Sequence, residues 1–127
     1  MSIREIPLTN TTWSPGEYLQ QPGGEYTHVT ISYDITGQRY KIDDHLDQVV
    51  SEDSSLQKIA CVNTTVYWQA IFGDIGDSEH QLLEKSKRQL KALLVKLFVD
   101  NASLSGETVT AYCMVGNIRA FAYELDA

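Results

Sequence analysis

The chain has 127 residues, of which 43% are hydrophobic and 21% are charged, values typical of a single folded domain over residues 1–127 with a modest core. Its formal net charge of −7 disfavours nonspecific attraction to nucleic-acid phosphates or anionic membranes, because both require a positive protein surface. Neither a signal-peptide core nor an apolar run approaching the ~20 residues of a membrane helix is present, so we expect a soluble protein made in a cytoplasm.

The first 25 residues are the least regular part of the sequence. They contain all three prolines and two turn-forming glycine pairs, and they predict an irregular N-terminal arm over residues 1–25. Within this arm Ile3, Ile6 and Leu8 favour a short edge strand.

Residues 26–46 carry the clearest strand pattern. Val29, Ile31 and Tyr33 alternate with polar residues, Thr36-Gly37 suits a tight turn, and Gln38 would begin a return strand. In this register His28 lies opposite His45, and Asp34 lies opposite Arg39. The polar side of the predicted hairpin then carries His28, Thr30, Ser32, Asp34, Arg39, Lys41, Asp43 and His45.

Two further strands are predicted at Leu56–Val62 and Thr64–Phe72, either as a hairpin around Val62-Asn63 or as one long bent strand, and they complete a sheet over residues 26–72. A long amphipathic helix follows over residues 77–100, with a capping box formed by Ser78 and Gln81 at its start. Alternating residues then favour a C-terminal hairpin over residues 107–125. The predicted fold class is therefore α+β: an antiparallel β-sheet, one long amphipathic helix and a C-terminal β-hairpin.

Few residues suggest chemistry. His28 and His45 would face each other in the hairpin, but no metal-ligand spacing accompanies them, and we expect no metal and no cofactor. No phosphate-binding glycine loop or nucleophile motif occurs, so we expect no catalytic residues and no enzymatic activity. Cys61 and Cys113 could be buried thiols or a disulfide, and the sequence leaves both alternatives open.

The order of elements resembles the coat proteins of single-stranded RNA bacteriophages, the leviviruses. Three stretches carry the resemblance: Val29–Tyr33 through Gln38–Ile42, then Leu46–Gln48, and finally Val66–Phe72 with Asp77-Ser78-Glu79 and the leucine-rich helix. Together they lie within residues 28–100. The resemblance implies an interlocked homodimer that assembles into a shell, with localisation in the virion after synthesis in a bacterial host cytoplasm.

The resemblance also implies two sets of site residues. The inner sheet face would contact genomic RNA, and the helix stripe would form the dimer interface; no membrane or small-molecule partner is expected. The RNA-binding set is His28, Thr30, Ser32, Arg39, Lys41 and His45, and the dimer-interface set is Leu83, Leu90, Leu94 and Leu97.

Two other functions fit the same sequence. The small size and the net charge of −7 suit an acidic immunity or inhibitor-type protein that caps a basic protein partner. A small enzyme acting through His28, His45 and Asp43 is the third possibility. A coat protein should assemble into particles, whereas an inhibitor should stay small and bind one target.

Overall fold

A computed structural model describes residues 2–6, 24, 26–59, 64–99, 106–115 and 119–126. These residues form an α+β fold with six strands and two helices. The strands are β1 (Ser2–Ile6), β2 (Tyr26–Thr36), β3 (Leu56–Lys58), β4 (Thr65–Ile71), β5 (Thr108–Val115) and β6 (Arg119–Asp126), and the helices are α1 (Tyr40–Glu52) and α2 (Glu79–Phe98).

All six strands belong to one antiparallel sheet with the order β1-β6-β5-β2-β4-β3. Helix α1 connects β2 to β3, and α2 connects β4 to β5. Each helix therefore joins two parallel strands that have another strand inserted between them. This is a split β-α-β arrangement, the topology of ferredoxin-like domains, here extended by β6 and β1 at the β5 edge.

Both helices pack against the same side of the sheet. The alternation predicted for β2 is confirmed, since Val29 and Ile31 are fully buried and Tyr33 is nearly so, while the residues between them are exposed. These three side chains share one core with Ile42 and Leu46 of α1 and with leucines of α2. Burial of these apolar side chains holds the helix layer onto the sheet.

Residues 40–52 form a helix, and the prediction of a return strand from Gln38 was wrong. Ile42, Leu46 and Val49 are the buried residues of α1, and their spacing places them on one helical face. Arg39 and Asp43 form an ion pair of 2.9 Å with the i, i+4 spacing of a helix. After β2 the chain therefore runs over one side of the sheet as α1 and does not reverse beside β2.

Helix α2 begins with the predicted capping box. The Ser78 hydroxyl accepts a hydrogen bond from the Gln81 backbone N–H, and the Gln81 side chain accepts one from the Ser78 N–H. The leucine stripe of α2 packs onto this chain's own sheet, where Leu90, Leu94 and Leu97 are fully buried. The prediction that these three leucines form a dimer interface was wrong, because no surface of theirs remains for a second copy; Leu83 is half-buried at the border of the core.

The sheet is completed by strands from both ends of the chain. β1 is an edge strand, as Ile3 and Ile6 predicted, and it pairs with β6. β5 pairs with both β2 and β6, so it lies inside the sheet. Residues 1, 7–23 and 25 of the predicted N-terminal arm over 1–25 lie outside the described residues, as does the predicted reversal at Gly116-Asn117.

Candidate functional site

The side of the sheet away from both helices carries the residues with functional potential. We call it the open face. It presents the even-numbered residues 26–34 of β2, the odd-numbered residues 65–71 of β4 and the even-numbered residues 110–114 of β5. Neither described helix covers this surface. The second side of an antiparallel sheet is commonly solvated and polar in this way.

Large apolar side chains are exposed on the open face. The exposed fractions are 66% for Tyr26, 44% for Ile71, 39% for Tyr112 and 48% for Met114. These residues come from β2, β4 and β5, so they lie on three adjacent strands of one surface. Clustered exposed apolar side chains of this kind mark interaction surfaces.

A contact between two aromatic rings occupies the middle of the open face. His28 and Tyr67 stack with ring centroids 5.6 Å apart and planes inclined by 29°. The Tyr67 hydroxyl also hydrogen-bonds the His28 ring nitrogen Nδ1. One strand row further on, Ser32 and Thr65 lie opposite each other with their hydroxyl oxygens 3.4 Å apart. The centre of the face therefore combines aromatic surface with hydroxyl groups.

One end of the open face is acidic. Asp34 follows Ser32 on the same side of β2, and its row continues through Thr110 to Glu124. Glu124 forms an exposed ion pair with Arg4 of β1, whereas Asp34 has no ion pair within the described part of the chain. The open face therefore has aromatic and apolar side chains at its centre and an exposed carboxylate at one end.

Most described lysines are already engaged by acidic side chains. Lys85 bridges Asp74 and Asp77 at 2.9 Å each, and its hydrogen bonds hold the pKa of the Asp77 carboxyl below its ordinary value. The other lysine pairs are Lys58 with Asp47 at 3.0 Å, Lys87 with Glu5 at 3.5 Å and Lys96 with Asp53 at 3.7 Å. These pairs lie away from the open face, so its acidic end is not neutralised by them.

Half of the predicted RNA-binding set lies on the open face. His28, Thr30 and Ser32 are there, exposed, as the β2 pattern predicted. The structure contradicts the placement of the other three, Arg39, Lys41 and His45, on the same surface. Lys41 and His45 belong to α1, and Arg39 immediately precedes that helix, so none of them lies on a return strand beside β2.

His45 has a structural position. Its ring nitrogen Nε2 donates a hydrogen bond of 2.8 Å to the backbone carbonyl of Lys96, one of the last carbonyls of α2. Such carbonyls lack a partner within their own helix, so this bond satisfies one of them. The sheet separates His45 from His28, and the predicted pairing of the two histidines was therefore wrong.

The structure adds residues that the hairpin prediction did not include. Tyr67 and Gln69 of β4 lie beside Thr30 and His28, and Met114 of β5 lies beside Thr30 on the other side. The sequence signal was present, because β4 and β5 both alternate, but it gave no indication that each strand pairs with β2. The sequence pattern therefore lacked the information that β4 and β5 each pair with β2.

Cys113 lies on the other side of β5 from the open face. It is a free thiol, fully buried in the core. Burial raises the pKa of this thiol to about 12, because the charged thiolate is poorly solvated there. This position is structural, and Cys61 lies outside the described residues.

Comparison with known protein families, with curated proteins and with solved structures finds no match for this chain. Within the described ranges, neither helix has the length and apolar character that a bilayer span requires. In the same part of the chain, no three His, Cys, Asp or Glu side chains are grouped as metal ligands would be.

Proposed function

We propose that this chain is a noncatalytic binding protein that holds a basic protein partner on its open face. One observation carries the proposal: exposed apolar side chains lie on three adjacent strands of one side of the sheet, and Tyr112 and Met114 among them lie one and two strand rows from the exposed carboxylate of Asp34. This corresponds to the immunity or inhibitor-type function expected from the small size and acidic charge.

The composition of the open face supports a protein as the partner. Tyr26, Tyr67, Tyr112 and Met114 belong to residue types that are enriched in the buried centre of protein interfaces. Tyrosine supplies a large contact area with few rotatable bonds, so ordering it on binding loses little entropy. Thr30 and Ser32 would supply hydrogen bonds among these apolar contacts.

The charge supports a basic partner. The chain carries a net charge of −7, and the described lysines pair largely with acidic residues of the chain itself. Complementary charge accelerates encounter and disfavours partners of like charge. An acidic partner would meet repulsion from Asp34 and from the whole protein.

The experiment is a selection from a displayed library of random twelve-residue peptides. The wild-type chain is compared with a double variant of the open face, Tyr67→Ser with Met114→Ser, and with Ile75→Ser as a matched control. Ile75 is 90% exposed and lies in the loop before α2, outside the strands β2, β4 and β5 that form the open face. Circular dichroism and thermal unfolding establish that each protein is folded before selection.

The proposal predicts that wild type and Ile75→Ser both enrich peptides that contain apolar residues together with Lys or Arg. The double variant should lose that enrichment while remaining folded. Equal enrichment on the double variant would contradict the proposal, because binding would then use another surface. Enrichment of acidic peptides would contradict the basic character of the partner.

A second candidate is the RNA-phage coat protein. His28, Thr30 and Ser32 on the open face, with Tyr67 beside them, favour it, because exposed aromatic and hydroxyl side chains can stack on and hydrogen-bond unpaired bases. The exposed Asp34 and the net charge weigh against it, since binding to phosphates requires positive charge. The return strand of the hairpin that carried the resemblance is also replaced by α1.

Size-exclusion chromatography with electron microscopy and the 260/280 nm absorbance ratio tests the second candidate. Closed shells that contain nucleic acid would establish the coat function and overturn the first proposal. A small protein free of nucleic acid is the result that the first proposal predicts.

A further inference from the structure

The side chains of the open face differ in size from strand to strand. On β2, Thr30 and Ser32 are small, whereas the neighbouring strands carry Tyr67 on one side and Tyr112 with Met114 on the other. Adjacent strands are separated by about 4.8 Å, so the larger side chains flank the small ones across roughly 10 Å. A track along β2 is therefore bordered by Met114 and Tyr112 on the β5 side, and by Tyr67 followed by Thr65 on the β4 side.

The track leads to a carboxylate. Asp34 follows Ser32 on the same side of β2, about 6.6 Å further along the strand, and its side chain is exposed. At the other end, His28 and its stacking partner Tyr67 limit the track. The order along β2 is thus an aromatic contact, two hydroxyl residues and a negative charge.

We infer that this track receives one long basic side chain of the partner, a lysine or an arginine. Its methylene stem lies over Thr30 and Ser32 between the flanking tyrosines, and its charged end pairs with Asp34. Long basic side chains bury their stems on apolar surface while the cation remains at a polar edge. The inference rests on the proposed function, because it specifies what the open face recognises in its basic partner.

Charge complementarity is the reason for choosing this occupant. Asp34 forms no ion pair within the described ranges, in contrast to Asp43, Asp47, Asp53 and Asp77, although Arg39 is near enough to interact with it electrostatically. A cation placed at Asp34 would also be near the ring of Tyr112, the diagonal neighbour of Asp34 on β5, and aromatic faces attract cations. An acidic or neutral side chain would gain neither interaction.

The test uses peptides recovered in the selection described above, labelled with a fluorophore and measured by anisotropy. Each peptide is prepared with its basic residues replaced singly by norleucine, which keeps the stem and removes the charge. Binding is measured to wild type, Asp34→Asn and Asp34→Lys, with Glu84→Gln as the control. Glu84 is exposed on α2, on the opposite side of the protein.

Replacing one particular basic residue should lower the affinity of the peptide about tenfold, a change of about 1.4 kcal/mol, because the pair with Asp34 is lost. The same replacement should have little effect on binding to Asp34→Asn. Asp34→Lys should bind the parent peptide more weakly and prefer a glutamate at that position. Glu84→Gln should behave as wild type.

The outcomes separate the inference from the function on which it depends. If Tyr67→Ser with Met114→Ser abolishes binding but Asp34→Asn has no effect, the inference is wrong and the proposed function stands. If neither change affects binding, both are wrong. A preference of wild type for a labelled single-stranded RNA over every recovered peptide would also overturn both, because the open face would then bind nucleic acid.

Discussion

Replacing Leu90 by alanine tests whether the leucine stripe of α2 belongs to the core of one chain. Leu90 is 0% exposed and lies in the same core as Ile31 of β2 and Leu46 of α1. The substitution removes three carbon atoms, about 2.4 kcal/mol at about 0.8 kcal/mol for each buried carbon group. The cavity left behind adds to this, giving a loss of about 3–5 kcal/mol in the free energy of unfolding.

Urea unfolding followed by circular dichroism measures this loss. With a slope of about 1–3 kcal/mol per molar urea, the midpoint should fall by about 2 M. A domain of this size has a total stability of about 5–15 kcal/mol, so the variant should still fold. Ile75→Ala is the control, because Ile75 is 90% exposed and should change stability by less than about 0.5 kcal/mol.

Analytical ultracentrifugation of the same proteins distinguishes a core from an interface. If Leu90 lies in the core of one chain, Leu90→Ala should be less stable than wild type and should keep the association state of wild type. If Leu90→Ala were as stable as Ile75→Ala but converted a wild-type dimer into a monomer, the stripe would lie between subunits. That result would refute the arrangement of α2 on its own sheet.

Three further predictions concern the helix cap, an ion pair and a buried thiol. Ser78→Ala should lower the free energy of unfolding by about 1 kcal/mol in urea titrations, because the Ser78 hydroxyl caps α2. Lys85 lowers the pKa of Asp77 in the folded state, so the stability from this pair is present above the ordinary carboxyl pKa of about 3.9 and is lost as the pH falls further. Asp77→Asn should therefore lose less stability than wild type between pH 7 and pH 3. In a Cys61→Ser background, Cys113 should react with a thiol reagent at pH 8 only after urea unfolds the protein, because burial raises its pKa to about 12.

Each of these three has a contradictory outcome. An unchanged urea midpoint for Ser78→Ala would mean that the cap hydrogen bond contributes nothing in solution. Equal losses of stability for wild type and Asp77→Asn on acidification would show that the pair does not underlie the acid sensitivity. Rapid labelling of Cys113 in the native protein would show that β5 is accessible from the core side.

The sequence predicted β2 because strict alternation specifies which side chains face the core. Val29 and Ile31 are buried and His28 and Thr30 are exposed, and a one-residue shift would reverse both pairs. The capping box of α2 was equally predictable, since Ser78 and Gln81 act through local hydrogen bonds. Features that depend on residues close together in the sequence could therefore be predicted from it.

The sequence did not distinguish helix α1 from a strand. Tyr40 and Ile42 continued the alternation of β2, and Thr36-Gly37 resembled a hairpin turn, so a local pattern favoured the wrong element. The spacing of Ile42, Leu46 and Val49 was the opposing signal, and it is the one that the structure follows.

The candidate site was predicted only in part because it depends on strand pairing. Exposed His28 and Thr30 followed from β2 alone, but their neighbours Tyr67 and Met114 come from strands that are far apart in sequence. No local pattern specifies that β2 lies between β4 and β5. The same topology buries the α2 leucines and places both helices on the other side of the sheet from the open face.

NMR titration of the ¹⁵N-labelled chain with a recovered basic peptide is the direct test of whether the open face binds a basic protein segment. Amide shifts should change along β2, β4 and β5, and these changes should disappear with Tyr67→Ser and Met114→Ser. Shift changes confined to α1 and α2, with the open face unaffected, would contradict binding at the open face.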